Sequence, residues 1–189
     1  VQFERANTGF NRVLYYLFGP ATLSAMAITA VPQWYWEGVA VATETAFTHS
    51  GRGRIPNFGL VFRTNLQEGR AFNYHKQYLR SYKNEIPDHY VLGYHMISYL
   101  RKRTGDPDIW GKIGKRAWSL PFIPFTFSNA IKKESGLYVT QLYREMVLDL
   151  QKTWNEEQRS LQITPFETFS KRNTNAYTDY RYPQVLADG

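Results

Sequence analysis

Two carboxylates in the segment PQWYWEGVAVATET, residues 32–45, are the first side chains placed to do chemistry. Glu37 follows Trp34, Tyr35 and Trp36 and precedes Gly38, Val39, Ala40, Val41 and Ala42. Glu44 lies seven positions on, which on a helix returns it to nearly the same face. A helix with such neighbours is expected to be buried on most sides. A carboxylate inside it is costly unless it is paired, hydrogen-bonded or bound to a metal. From this stretch alone two compensations stay open for Glu37: an ion pair with one of the arginines, or ligation of a metal ion.

Other residues could contribute. Arg52 and Arg54 stand in GRGR, residues 51–54, on an expected flexible loop. They could touch phosphate, rim an active site against substrate, or belong to a solvated turn. The four histidines are His49, His75, His89 and His95. A helical zinc pair needs histidines at i and i+4 with glutamate between them, and none of these has that spacing. His89 and His95 are six apart and do not share a helical face, while His49 and His75 read as loop or surface residues.

Composition narrows the function classes. A net charge of +7 could signal an anionic partner, but the basic residues are scattered along the chain at positions where helices would expose them. They read as a solvated surface, and a nucleic-acid partner is disfavoured. The absence of cysteine excludes disulfides and thiolate metal sites. No apolar run reaches the roughly 18 to 20 residues of a membrane span. The best stretch, Ala21 to Val31, carries Thr22, Ser24 and Thr29 and reads as a buried helix.

The elements that must position these groups read as helices throughout. Apolar spacing runs from Phe3 to Phe18, so the chain is expected to begin inside a helix ended by Gly19-Pro20. A small-residue helix over 21–30 follows, then one starting near Pro32 and ending about Phe47. After a loop over 49–57 come weaker helices around 58–66 and 74–82. A strong helix over 90–103 has Asp88 as its N-cap and Gly105 as its stop. Residues 108–118 continue in the same style, and the proline-bearing 119–127 reads as a packed apolar loop. A short helix at 130–134 and a long amphipathic one over 138–161 close the domain, the latter with Leu142, Met146, Leu150 and Trp154 in one stripe. The expected fold is an all-α domain over 1–163, with a linker and strand-like tail over 164–189.

The pattern P-x-W-x-x-E-G-x-A, here Pro32, Trp34, Glu37, Gly38 and Ala40, resembles the glutamate helix of the gluzincin metallopeptidases, which include the aminopeptidase and peptidase MA-like families. In that family an upstream H-E-x-x-H helix supplies two histidine ligands and a water-activating glutamate, and the E-G-x-A glutamate is the third zinc ligand. By this resemblance Glu37 is the metal ligand and Glu44 orients a neighbouring group behind it. Tyr90-Val91-Leu92-Gly93 resembles the family's Y-x-x-G segment, which makes Tyr90 the candidate oxyanion donor. The segment from Phe127 to Trp154 resembles the closing helices of the peptidase MA-like domain.

H-E-x-x-H occurs nowhere in the chain, and the resemblance places it just before Val1. TDYRYPQVLADG resembles the first strand of a TolB-like β-propeller blade, which implies a parent with a downstream propeller and an extracytoplasmic setting in the periplasm or cell envelope. The reading is thus a fragment of a zinc peptidase whose intact form acts on peptide or protein substrates. The alternative is a non-catalytic helical interaction module on a degenerate peptidase scaffold, with Arg52 and Arg54 as substrate-rim candidates only in the first case. With one ligand of three in hand, the chain alone is expected to hold no stoichiometric zinc and to cleave no peptide. Elemental analysis finding one tightly held zinc per chain would overturn this ligand assignment.

Overall fold

The computed structural model describes residues 6, 7, 9–119, 123–162, 164–168 and 184. The described residues form nine α-helices and no strand, as the all-α reading requires. They are α1 (Phe10–Phe18), α2 (Pro20–Ala30), α3 (Gln33–Phe47), α4 (Leu60–Gln67), α5 (Tyr74–Leu79), α6 (His89–Thr104), α7 (Ile109–Ser119), α8 (Thr126–Ser135) and α9 (Val139–Ser160). A 3-10 turn, Arg52–Arg54, lies between α3 and α4. Apart from Gln184, the expected propeller-like strand falls outside the described residues, as does the Phe3 end of the first helix.

Helix α3 buries Trp34, Tyr35, Gly38, Val41, Ala42 and Thr45. These positions advance by one or three residues and trace a single stripe of an α-helix. The expectation of burial on most sides is therefore corrected: Ala40 and Ala46 are exposed, and Glu37 and Glu44 are half-buried at the stripe's edge. Helix α6 faces α3 with Val91, Leu92, Gly93, Met96, Ile97 and Leu100. The two backbones touch where their glycines meet. A Cβ on Gly38 would lie 2.3 Å from the carbonyl carbon of Gly93, and one on Gly93 would lie 2.0 Å from the carbonyl oxygen of Trp34. Any larger side chain at either position would force the helices apart.

Around this crossing the core is aromatic. Trp34 meets Trp110 and Phe127 edge-on, with centroids 5.7 and 5.6 Å apart, and Tyr35 meets Phe127 at 5.4 Å. Polar tips find partners inside: Trp34 Nε1 donates to the Tyr74 hydroxyl at 2.9 Å, Trp110 Nε1 to the Ile97 carbonyl at 3.0 Å, and the Tyr35 hydroxyl to the Trp110 carbonyl at 3.0 Å. Such donors must be satisfied if large amphipathic rings are to be buried without penalty. Helix α9 completes the core with Leu142, Tyr143, Met146 and Val147, while Leu150 and Trp154 are only half-buried.

Several boundaries depart from expectation for local reasons. Ala6, Asn7 and Gly9 are not helical: Gly9 takes φ 56°, and the buried Asn11 amide donates to the carbonyls of Ala6 and Trp118. Helix α2 is not a buried helix, since it buries only Leu23, Ala27 and Ala30. Helix α5 stops at Leu79 because Arg80 turns to φ 65°. Helix α8 starts at Thr126, inside the segment read as loop, after Phe125 adopts a left-handed φ of 61°.

The glycine crossing can be tested directly. Gly93→Ala is expected to cost about 3 kcal/mol of stability, because its methyl meets backbone that cannot yield. Gly105→Ala, whose site is open but has φ 66°, should cost about 1 to 2 kcal/mol from backbone strain alone. Urea midpoints compare the two, and equal losses would mean that the glycines do not set the helix spacing.

Candidate functional site

The crossing decides what lies beside Glu37. Asp88 caps α6, its carboxylate accepting from the backbone N–H groups of Tyr90 at 3.0 Å and Val91 at 3.2 Å, and this fixes the first turn of the helix. Gly93 sits on Gly38, so one turn back along α6 Tyr90 lies next to Glu37. The Tyr90 hydroxyl is within reach of that carboxylate. Hydrogen bonding to Glu37, followed by its negative charge, pushes the phenol's pKa above the usual tyrosine value. Both side chains are half-buried and share one face of the fold. Among the described residues Glu37 forms no ion pair with lysine or arginine.

The ion pair belongs to Glu44 instead. Its carboxylate accepts from the Arg52 backbone N–H at 2.8 Å and from the Arg52 guanidinium at 3.1 Å, and these bonds hold its pKa below the ordinary carboxylate value. Arg52 in turn lies over the Tyr90 ring, 4.9 Å from its centroid. Glu44 thus holds Arg52, Arg52 covers Tyr90, and Tyr90 reaches Glu37.

The GRGR segment is not the flexible loop expected from its glycines. It is a 3-10 turn clamped on the end of α3, where a Cβ on Gly51 would lie 2.3 Å from the Thr45 Cα and one on Gly53 2.4 Å from the Tyr94 ring. The Gly53 N–H donates to the Thr45 hydroxyl at 3.0 Å, and the Arg54 guanidinium donates to the Thr45 carbonyl. As rim candidates, Arg52 is committed to Glu44 and Tyr90, and Arg54 to the α3 backbone.

The histidines separate into three kinds. His49 and His75 are exposed. His89, which spacing arguments set aside, sits beside Glu37: burial and then the Arg80 charge lower its pKa, while Asp88 and Glu37 oppose the shift. Its ring lies 5.4 Å from that of Tyr78. The available signal was its place directly before Tyr90. His95 is enclosed by the rings of Tyr94, Phe62 and Trp154 at 5.3, 5.5 and 5.6 Å, and its Nε2 is buried without a hydrogen-bond partner.

Among the described residues no three His, Cys, Asp or Glu side chains gather into a metal site. Glu37 offers one carboxylate, which fits a site drawing its other ligands from elsewhere. A cleft of about 720 Å³ opens nearby, lined in part by Pro32, Gln33, Trp36 and Tyr78. Gln33 stands one helical turn before Glu37, but neither Glu37 nor Tyr90 lines the cleft, whose other walls are the end of α2 and residues 123–127. No family model, curated protein or solved structure matches the chain.

His95 makes stability depend on pH. Burial lowers its pKa from 6.5 to about 4, so the unfolded chain binds a proton more readily than the folded one. The associated stability is fully present above pH 6.5 and is lost as pH falls toward 4, by about 3 kcal/mol. His95→Phe, which keeps the ring inside the aromatic cage, should flatten this part of the stability profile. Chemical denaturation at pH 7, 5.5 and 4 measures it; identical pH slopes for variant and wild type would exclude His95 as the cause.

Proposed function

We propose that this chain is the helical part of a gluzincin-type zinc metallopeptidase, with Glu37 as the third metal ligand and Tyr90 as the oxyanion donor. One observation carries the reading. Two segments that resemble separate motifs of the family, E-G at 37–38 and Y-x-x-G at 90–93, meet at their glycines and make their two chemically able side chains neighbours. In this reading the histidine ligands and the water-activating glutamate come from a preceding H-E-x-x-H segment.

Bound zinc supplies Lewis acidity and a water of lowered pKa. This chain's residues do the rest. Glu37 would contribute a carboxylate oxygen to the metal. Tyr90, its pKa raised, stays protonated at neutral pH; with Glu37 on the metal, its single O–H would leave Glu37 and turn to the carbonyl oxygen of the scissile peptide as negative charge develops there. Arg52 restrains the Tyr90 ring, and Glu44 restrains Arg52.

A single observation favours the alternative, a non-catalytic helical interaction module. Tyr90 already gives Glu37 a hydrogen-bond donor, so the carboxylate is compensated without a metal. Glu37→Gln in the protein containing the H-E-x-x-H segment separates the two. For a zinc ligand, the substitution should lower zinc content and nearly abolish hydrolysis while shifting stability by about 1 kcal/mol or less, since the amide still accepts from Tyr90. The measurement pairs zinc content with thermal midpoint, with and without chelator. A wild type that binds no zinc, with a variant that melts much lower under both conditions, would make Glu37 a structural residue.

A further inference from the structure

Helices α1 and α2 form a hairpin that touches the cleft only at its far end, through Ile28, Thr29 and Ala30. From Val13 to Trp36 the chain carries no Asp, Glu, Lys or Arg, a run of 24 residues. Gly19-Pro20 breaks that run into helices of 9 and 11 residues. At 1.5 Å per residue these are about 14 and 16 Å long, half a bilayer's hydrocarbon thickness. Among the described residues no helix is long and apolar enough to cross a membrane. The hairpin could only dip into one.

Its surface has the composition for that. At the turn Tyr16, Leu17 and Phe18 are 72%, 68% and 67% exposed, and Val13 extends the apolar surface along α1. Only one side is anchored to the domain. Asn11 donates to the Trp118 carbonyl at 2.7 Å, Trp118 Nε1 donates to the Ala27 carbonyl at 3.4 Å, and Leu23, Ala27 and Ala30 pack inward.

The hydroxyls on α2 argue for lipid rather than a polar protein surface. Thr22, Ser24 and Thr29 donate back to the carbonyls of Phe18, Pro20 and Ala25 at 3.4, 3.3 and 3.0 Å. A helix whose side-chain donors are satisfied internally can enter hydrocarbon without orphaned polar groups. At the turn Pro20 has no N–H, and the Gly19 N–H is bonded to the Tyr15 carbonyl at 2.8 Å. The only charge on the two helices is cationic, Arg12, in a chain of net charge +7. Tyr15 and Tyr16 supply amphipathic rings near the turn, the kind enriched at the membrane–water interface.

From these features we infer that the α1–α2 hairpin is a membrane-surface anchor that inserts Leu17 and Phe18 into the outer hydrocarbon of an anionic bilayer, with Arg12 at headgroup level. This is independent of the peptidase reading. Flotation of the 189-residue chain with phosphatidylcholine vesicles containing 30% (about a third) phosphatidylglycerol tests it. The wild type should float, and more weakly with pure phosphatidylcholine. Leu17→Glu/Phe18→Glu should bind roughly tenfold or more weakly with an unchanged thermal midpoint, because both side chains are exposed. Phe47→Glu, at a still more exposed apolar position on α3, should bind like wild type.

No flotation by the wild type would overturn the proposal. So would equal binding by the hairpin variant, which would reduce the effect to net charge. A wild type that ignores vesicles but sediments as a dimer, with the dimer lost in the hairpin variant, would assign the face to a second copy of the chain.

Discussion

The contact between Gly38 and Gly93 is the constraint on which the rest of the structure depends. It lets α3 and α6 approach until backbone meets backbone, and it fixes their register because no other pair along the two helices lacks side chains in this way. On the core side the close approach makes room for Trp34 and Tyr35 to pack with Trp110 and Phe127. On the solvent side it leaves Glu37, directly before Gly38, beside Tyr90, one turn before Gly93. The packing and the candidate chemistry therefore have one cause.

The charges around the site are arranged for geometry more than for stability. Arg52 and Glu44 are 40% and 34% exposed at their side chains, where an ion pair contributes about 1 kcal/mol or less. Their value is positional: the pair fastens the 3-10 turn to α3 and places a guanidinium over the Tyr90 ring. A tyrosine covered on one face and hydrogen-bonded at its tip has little freedom to swing away. The effect of Arg52 on Tyr90 is mixed, since its charge lowers the phenol's pKa while Glu37 raises it more strongly.

The hairpin of α1 and α2 follows different physics. The helices around the crossing bury their apolar stripes and expose charge, whereas the hairpin exposes apolar side chains and returns its hydroxyls to its own backbone. It is attached on one side only, through the Asn11 and Trp118 hydrogen bonds and through Leu23, Ala27 and Ala30, which join the core.

Much of the architecture was legible from residue order. Asp88 and Gly105 bound α6 as read, because a capping carboxylate and a left-handed glycine act within one turn of the chain. The all-α class, the long stripe of α9 and the position of Glu37 on a helix after Pro32 follow from local periodicity in the same way. Local pattern could not say how deeply α3 is buried or that Glu44, not Glu37, takes the arginine. Nor could it say that GRGR is clamped or that His89 adjoins Glu37. Each of these depends on which residue of a distant helix stands opposite. Here that choice was made by two glycines, whose lack of a side chain acts only once another backbone has been brought against them.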